Sequence, residues 1–392
     1  MKKMTVFFVN WFGGFCLDER FAAIAFLVAW LIIQLLIILS FGVALGGDSS
    51  RYIESGLALT QGGELAARSA PYLSYIGVIA LSFWFGVELY GVVIFQVFIA
   101  ALALWMVFDL ARSVAGPLSG FFAMLPVATF FDYFQWHRYI FTDSLSASLT
   151  VITVWLLWKI VSTRKSFFHF AILPILLVGA LMRPNGWLML FLAVFVVSVT
   201  HFSTLKGRFS AIAAGFFLIL SMITLTPSYH QSLSAEIPAN QTLHGMVIWG
   251  AEETYLDMPQ VELKETGYRG VVQYALTYPA SYVNLMAHRA AWHVVKYRPW
   301  FSNVHNAYII AYIVPVYFFA VWGVLCFFRH PVIWMCVLTF LLKMSLVMIT
   351  FANWEGRFSL YAWPLVSVCF GVGFSLFLTR FPFLSRFRFV RQ

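Results

Sequence analysis

The sequence predicts an all-α, polytopic membrane protein, and three observations lead there. Of 392 residues, 61% are hydrophobic and only 10% are charged, against roughly 25% charged in an ordinary soluble domain. The apolar residues gather in runs close to or above the roughly 18 to 20 needed to cross a bilayer. These runs lack the alternation of barrel strands, and hydrocarbon satisfies no open backbone, so the spans are expected to be helical.

The N-terminal stretch "MKKMTVFFVNWFGGFCLDER" is basic, but the apolar run that follows, from Phe21 to about Leu45, is longer than a signal-peptide core. It also lacks a small-residue cleavage site, so it reads as an uncleaved first span. Apolar patterning then places about ten spans, centred in 21–44, 90–111, 117–134, 140–161, 167–182, 186–202, 209–226, 307–328, 332–351 and 358–379. Residues 45–89 form a first outer loop. There "SRYIESGLALTQGGELAARSAPYLSYIG" reads as an amphipathic helix, a Gly62-Gly63 break and a second short helix entered through Pro71, both lying in the interface. Residues 226–306 form a long outer insert, so the chain is one integral membrane domain, 1–392, without a soluble catalytic domain or internal repeat.

With the N-terminus cytoplasmic, the inner loops collect Lys2, Lys3, Arg20, Arg112, Lys159, Arg164, Lys165, Lys206, Arg208, Arg329, Arg380, Arg386, Arg388 and Arg391. This is the positive-inside pattern. Most acids fall outside, so the formal charge of +9 describes topology and argues against a nucleic-acid partner. Cys16, Cys326, Cys336 and Cys369 lie in or beside apolar segments, which indicates neither a disulfide framework nor a cysteine metal site. No histidine spacing of metal-ligand type is visible.

The chemistry-bearing residues concentrate in the short outer loops. "ALGGDSSRYIES" carries Asp48 just past the first span; "WHRYIFTDSLSASL" carries His137, Arg138 and Asp143; "LMRPNGW" carries Arg183; "ANWEGRFSLYAWP" carries Glu355 and Arg357. Each has a bland role as well. Asp48 can be a solvated loop charge, and Asp143 can sit at a helix N-terminus stabilised by the dipole. Arg183 can snorkel, Glu355 and Arg357 can pair with each other, and His137 can be a satisfied interfacial histidine. In the long insert, "YPASYVNLMAHRAAWHVVKYRPWFSNVHNAY" presents Arg289 and Lys296 on an amphipathic helix that would also suit anionic headgroups. Lys343 lies deep in an apolar span and needs a polar cavity, an acid such as Asp132, or a route outward. Four separate loops supplying acids and arginines to one face argue for a site.

Taken in order, the first-loop acid, the interfacial helix, "APYLSYIG", the second-loop acid, "RPNG" and "EGRF...YAWP" resemble the GT-C superfamily of polyprenyl-phosphate-dependent glycosyltransferases. The branch they are most similar to holds protein O-mannosyltransferases and lipid A aminoarabinose transferases. The resemblance implies Asp48 as catalytic base and Asp143 organising the acceptor or a metal; His137 and Arg138 are candidates to contact donor or acceptor by their place beside Asp143. It implies Arg183 and Arg357 at the donor phosphate, with Arg289 and Lys296 as further phosphate contacts; Lys343, as a charge within an apolar span, is a phosphate candidate on its own account. Two departures stand out: Ser49 and Ser50 occupy the place where relatives often carry a second acid, and no large soluble segment follows the last span.

The resulting expectation is an inverting transferase. It would move a sugar from an undecaprenyl- or dolichyl-type phosphate to a lipid, glycan or protein acceptor on the periplasmic face of a bacterial inner membrane, with both termini cytoplasmic. A divalent cation is a conceivable cofactor. A polyprenyl-linked glycan ligase or polymerase, a lipid or sugar transporter, and a catalytically silent scaffold remain as alternatives.

Overall fold

A computed structural model of the chain describes residues 19–225 and 237–380. The basic N-terminal stretch with Cys16, the start of the long insert and the tail arginines Arg386, Arg388 and Arg391 lie outside the described residues. Among the described residues regular structure is helical, with two isolated bridges, Ala44 to Tyr139 and Ile248 to Ala352, and no strands.

Helix α1 (Glu19–Phe41) leads into α2 (Ser49–Thr60), a 3-10 turn (Ala67–Tyr72) and α3 (Leu73–Trp84). Next come α4 (Glu88–Ala115), α5 (Pro117–Thr129), the short α6 (Phe131–Phe134), α7 (Asp143–Thr163), α8 (Ser166–Ala180), α9 (Trp187–His201) and α10 (Leu205–Leu225). The long insert contributes α11 (Ile237–Leu243), α12 (Gly267–Thr277) and α13 (Pro279–Val295), and the chain closes with α14 (Asn303–Phe327), α15 (Pro331–Ile349) and α16 (Trp363–Arg380).

Among the described residues, seven helical segments are long and apolar enough to cross a membrane: α1, α4, α7, residues 184–201 including α9, α14, α15 and α16. The other three expected spans coincide with helices that are shorter or only partly described. The expected 117–134 span stops at Phe130, whose extended backbone (ψ 107°) separates the 13-residue α5 from α6. Helix α8 has 15 residues, about 22 Å of helix and short of the hydrocarbon thickness. Helix α10 has 21 residues, of which the side chains of 221–225 are outside the description.

Packing follows the apolar pattern. Helix α1 turns Phe21, Ile24, Val28, Ile32, Leu36 and Leu39 outward, as a lipid-facing helix does. Helix α16 sits centrally, burying Trp363, Leu365, Val368 and Val372. It meets α14 through paired glycines: a Cβ on Gly323 would run into the Cys369 carbonyl, and one on Gly373 into the Phe319 carbonyl. Close backbone approach across small residues is the usual means of helix association in lipid, where the hydrophobic effect contributes little between helices.

Ion pairs mark one end of the bundle. Arg112 of α4 pairs with Glu19 of α1, and Lys159 of α7 reaches Asp109 of α4 at 2.7 Å. At the opposite end the connections 42–48, 130–142, 181–186 and 350–362 are laced together by backbone bonds. Ala44 N donates to Arg138 O (2.9 Å), Ile140 N to Ala44 O (3.0 Å), Ser74 N to Leu181 O (3.0 Å) and Ala352 N to Val247 O (2.8 Å). The insert adds its own small core of Val247, Ile248, Ala251, Met258, Tyr274 and Leu285 against that end.

Candidate functional site

The Asp48 end of the bundle holds a charged cluster drawn from segments far apart in sequence. Asp48 immediately precedes α2, and the loop that carries it is pinned down by its neighbour. Ser49 Oγ donates to the Ile140 carbonyl at 3.0 Å and accepts from Gly46 N at 2.9 Å, so the serine is buried and structural. Asp143 opens α7, where its carboxylate also meets the positive end of the helix dipole. Arg183 lies in extended backbone before the Pro184–Gly186 turn that closes the α8/α9 hairpin. Arg357 follows Gly356, whose φ of +69° is the left-handed conformation a glycine adopts without strain.

These four residues converge. Arg357 Nη2 is 3.4 Å from Asp48 Oδ2, and its Nη1 is 3.9 Å from Asp143 Oδ2. Arg183 Nη1 donates to Asp143 Oδ1 at 3.0 Å, and the Tyr361 hydroxyl donates to the same oxygen. Arg183 also lies over the Tyr361 ring, 4.9 Å from its centroid, with Lys343 Nζ over the same ring at 5.4 Å. Arg51, one helical turn after Asp48, comes within 3.4 Å of Asp48 Oδ1 and over the Tyr72 ring at 4.6 Å.

The two acids differ in what they can do. The Asp143 side chain is 2% exposed, with one oxygen taken by two donors, whereas the Asp48 side chain is 42% exposed and its ion-pair contacts are long. Asp143 therefore fixes arginines in place, while Asp48 is the carboxylate open to an incoming group. Three guanidinium groups (Arg51, Arg183 and Arg357) pair with these two acids, Glu355 lies beside Arg357 as a third acid, and Lys343 approaches only through the Tyr361 ring. The Arg51 and Arg357 Nε atoms are buried without a hydrogen-bond partner, and such guanidinium donors suit an anionic ligand. Burial works against the Arg357 charge, yet Asp143, Asp48 and Glu355 outweigh it and raise its pKa. Burial foremost raises that of Glu355, with Arg357 opposing and Asp143 adding to it.

Among the described residues no three of histidine, cysteine, aspartate and glutamate form a metal-ligand group. The place between Asp48 and Asp143 is spanned by the Arg357 guanidinium. The carboxylates are thus arranged around an arginine bridge.

Other sequence candidates lie elsewhere. His137 is buried with Nδ1 2.7 Å from Ser144 Oγ, edge-on to Trp30 and Tyr133, and burial pushes its pKa down to about 3. Arg138 turns to the Phe41 carbonyl at the end of α1, at 3.3 Å. Their side-chain polar contacts go to Ser144 and to the Phe41 carbonyl rather than to the Asp143 carboxylate. Arg289 is fully buried and donates to the carbonyls of Met246, Met348 and Ile349 at 2.8, 3.2 and 3.0 Å, so it clamps the end of α15 to the insert. Lys296 is buried over the Phe130 and Trp363 rings at 4.8 and 5.2 Å. Burial pushes it down to about 7, partly offset by Asp132. The suggested pairing of Lys343 with Asp132 does not form: Asp132 is bound by His305 Nε2 at 3.0 Å, because α14 delivers that histidine directly to α6.

Two contributors were absent from the sequence candidates, and a third, Arg298, reads in the sequence only as part of the basic helix of the insert. Arg51 had a signal, its i, i+3 spacing from Asp48; Tyr361 had none beyond its place in the last loop. Arg298 is fully buried and donates to the carbonyls of Trp292, Tyr297, Asn353 and Trp354 at 2.8 to 3.0 Å, which holds the loop that presents Arg357. Compared with protein-family models, curated proteins and solved structures, the chain matches none of them.

Proposed function

We propose that this chain is a membrane glycosyltransferase that takes a sugar from a polyprenyl-phosphate carrier and transfers it, with inversion, to an acceptor hydroxyl at the Asp48 end of the bundle. The observation that supports this reading most is the Asp48, Arg357, Asp143, Arg183 chain. It places one open carboxylate against a braced array of guanidinium groups beside a membrane-spanning bundle.

The roles follow from the chemistry. The acceptor oxygen bonds to the anomeric carbon as the bond from that carbon to the phosphate oxygen breaks, and the electron pair leaves with the phosphate. Asp48 takes the hydroxyl proton. The phosphate gains charge in the transition state, and Arg357, Arg183 and Lys343 are the cations placed to stabilise it. The leaving group is already a good one, so no second catalytic acid is needed. Asp143 and Tyr361 hold Arg183 in position, and Arg298 holds the Arg357 loop.

The test is transfer in proteoliposomes from a panel of radiolabelled polyprenyl-phosphate sugars, with wild type beside Arg357→Lys. The reading expects product from at least one donor, with transfer weakened in the lysine variant because a point ammonium cannot bridge both carboxylates and phosphate. Movement of the intact lipid-linked sugar between leaflets without transfer would favour a transporter instead. A repeating glycan product would favour the polymerase.

A further inference from the structure

Helices α8 and α9 form a hairpin whose closed end is the Arg183 turn. At its open end His169 and His201 meet, with their Nε2 atoms 3.1 Å apart and their rings at 86°. Each Nδ1 lies beside a carbonyl one turn earlier on its own helix. His169 Nδ1 is 3.3 Å from Lys165 O, and His201 Nδ1 is 3.2 Å from Val197 O and 3.1 Å from the Thr200 hydroxyl. In the tautomer in which each Nδ1–H donates to its carbonyl, each Nε2 presents a lone pair.

Two lone pairs facing each other at this distance repel, and a positive centre between them removes the repulsion. We propose that His169 and His201 form a binding site for a divalent transition-metal ion of the zinc type, held by the two Nε2 atoms and completed by water. Imidazole suits such ions. With metal to nitrogen distances of about 2.0–2.1 Å, the 3.1 Å separation corresponds to an angle at the metal of roughly 100°, close to tetrahedral. The carbonyl behind each ring supplies the outer hydrogen bond that fixes the tautomer of a metal-bound histidine. The nearby Arg208 side chain is engaged through Nε with the Phe202 carbonyl at 2.6 Å. A bound ion would clasp the open end of the hairpin whose closed end carries Arg183. This site stands independently of the glycosyl-transfer reading.

The experiment uses tag-free protein purified in detergent. Zn2+ binding is followed by calorimetry and Cu2+ is used as a paramagnetic probe, with wild type beside His169→Asn and His201→Asn. Wild type is expected to bind one equivalent that both variants lose or bind about tenfold or more weakly, with two coordinating imidazole nitrogens in the Cu2+ spectrum of wild type alone. The remaining histidines contribute equally to all three proteins and cancel in the comparison. Identical isotherms and spectra in all three would overturn the site and leave the pair joined by a shared proton. Should a variant fail to stay monodisperse, Zn2+ protection of His169 and His201 from diethyl pyrocarbonate in wild type gives the same readout, and equal modification with and without Zn2+ overturns the proposal.

Discussion

Replacing Asp143 with asparagine removes the buried carboxylate of the cluster while keeping its shape. The acid is 2% exposed, accepts from Arg183 Nη1 at 3.0 Å and from the Tyr361 hydroxyl, and has Arg357 Nη1 at 3.9 Å. Breaking a buried ion pair by removing one partner costs about 3–5 kcal/mol, because the surviving charge is left uncompensated. Two features push the value to the low end, near 3 kcal/mol. The amide oxygen still accepts from Tyr361, and the Arg183 and Arg357 side chains are 13% and 16% exposed, so each recovers some hydration. The assay is equilibrium unfolding in mixed micelles, run on Asp143→Asn, Arg183→Gln and the double variant. The double variant should lose less than the sum of the singles by about 1–3 kcal/mol, since removing both charges leaves neither unpaired. An Asp143→Asn protein within about 0.5 kcal/mol of wild type, or strictly additive losses, would refute the claim that this acid braces the site.

Three further outcomes are expected. Arg298→Lys keeps the charge but cannot reach four carbonyls from two segments, so it should lower stability by about 3 kcal/mol and increase amide exchange across residues 353–361; unchanged exchange would contradict the clamp. Gly356→Ala forces a side chain into φ +69° and brings it to 3.5 Å from Arg298 Nη2, costing about 1–2 kcal/mol in the same unfolding assay; a neutral effect would mean that the turn is not needed. Burial, reinforced at His293 by Lys296 and Arg298, pushes His137 and His293 down to about 3. Below pH 6.5 the unfolded chain then takes up protons that the folded chain refuses. Stability should fall as the pH drops, by about 2 kcal/mol per histidine at pH 5, and His293→Gln should flatten that dependence; an equal slope in the variant would contradict the assignment.

Much of the architecture was legible because it depends on local composition. Long apolar runs give spans, and the Gly62-Gly63 break and Pro71 divide the first loop where α2 ends and the 3-10 turn leads into α3. The count of spans was less legible. Apolar patterning does not register that Phe130 adopts an extended backbone or that α8 ends at Ala180. In the site, each loop shows its acid or arginine in the sequence, and the alternating direction of the ten expected segments, α5 and α8 included, places those loops at one end. What spacing cannot reveal is where a long side chain is used. Arg289 and Arg298 look like a cationic face for headgroups, yet their partners are carbonyls 43 to 60 residues away for Arg289 and as far as Asn353 and Trp354 for Arg298. Charge alone offers Asp132 as one possible partner of Lys343, while its partner in the structure, His305, arrives from 173 residues later.

The central claim is that Asp48 is the reacting carboxylate and Asp143 a bracing one. The most direct measurement is the single-turnover rate of sugar transfer in proteoliposomes for wild type and Asp48→Asn, with donor held saturating and monodispersity checked for both. The account predicts that the asparagine variant folds and binds donor but transfers about two or more orders of magnitude more slowly, the usual contribution of a general base. Equal rates in the two proteins would contradict it and reduce Asp48 to an exposed loop carboxylate paired with Arg51 and Arg357.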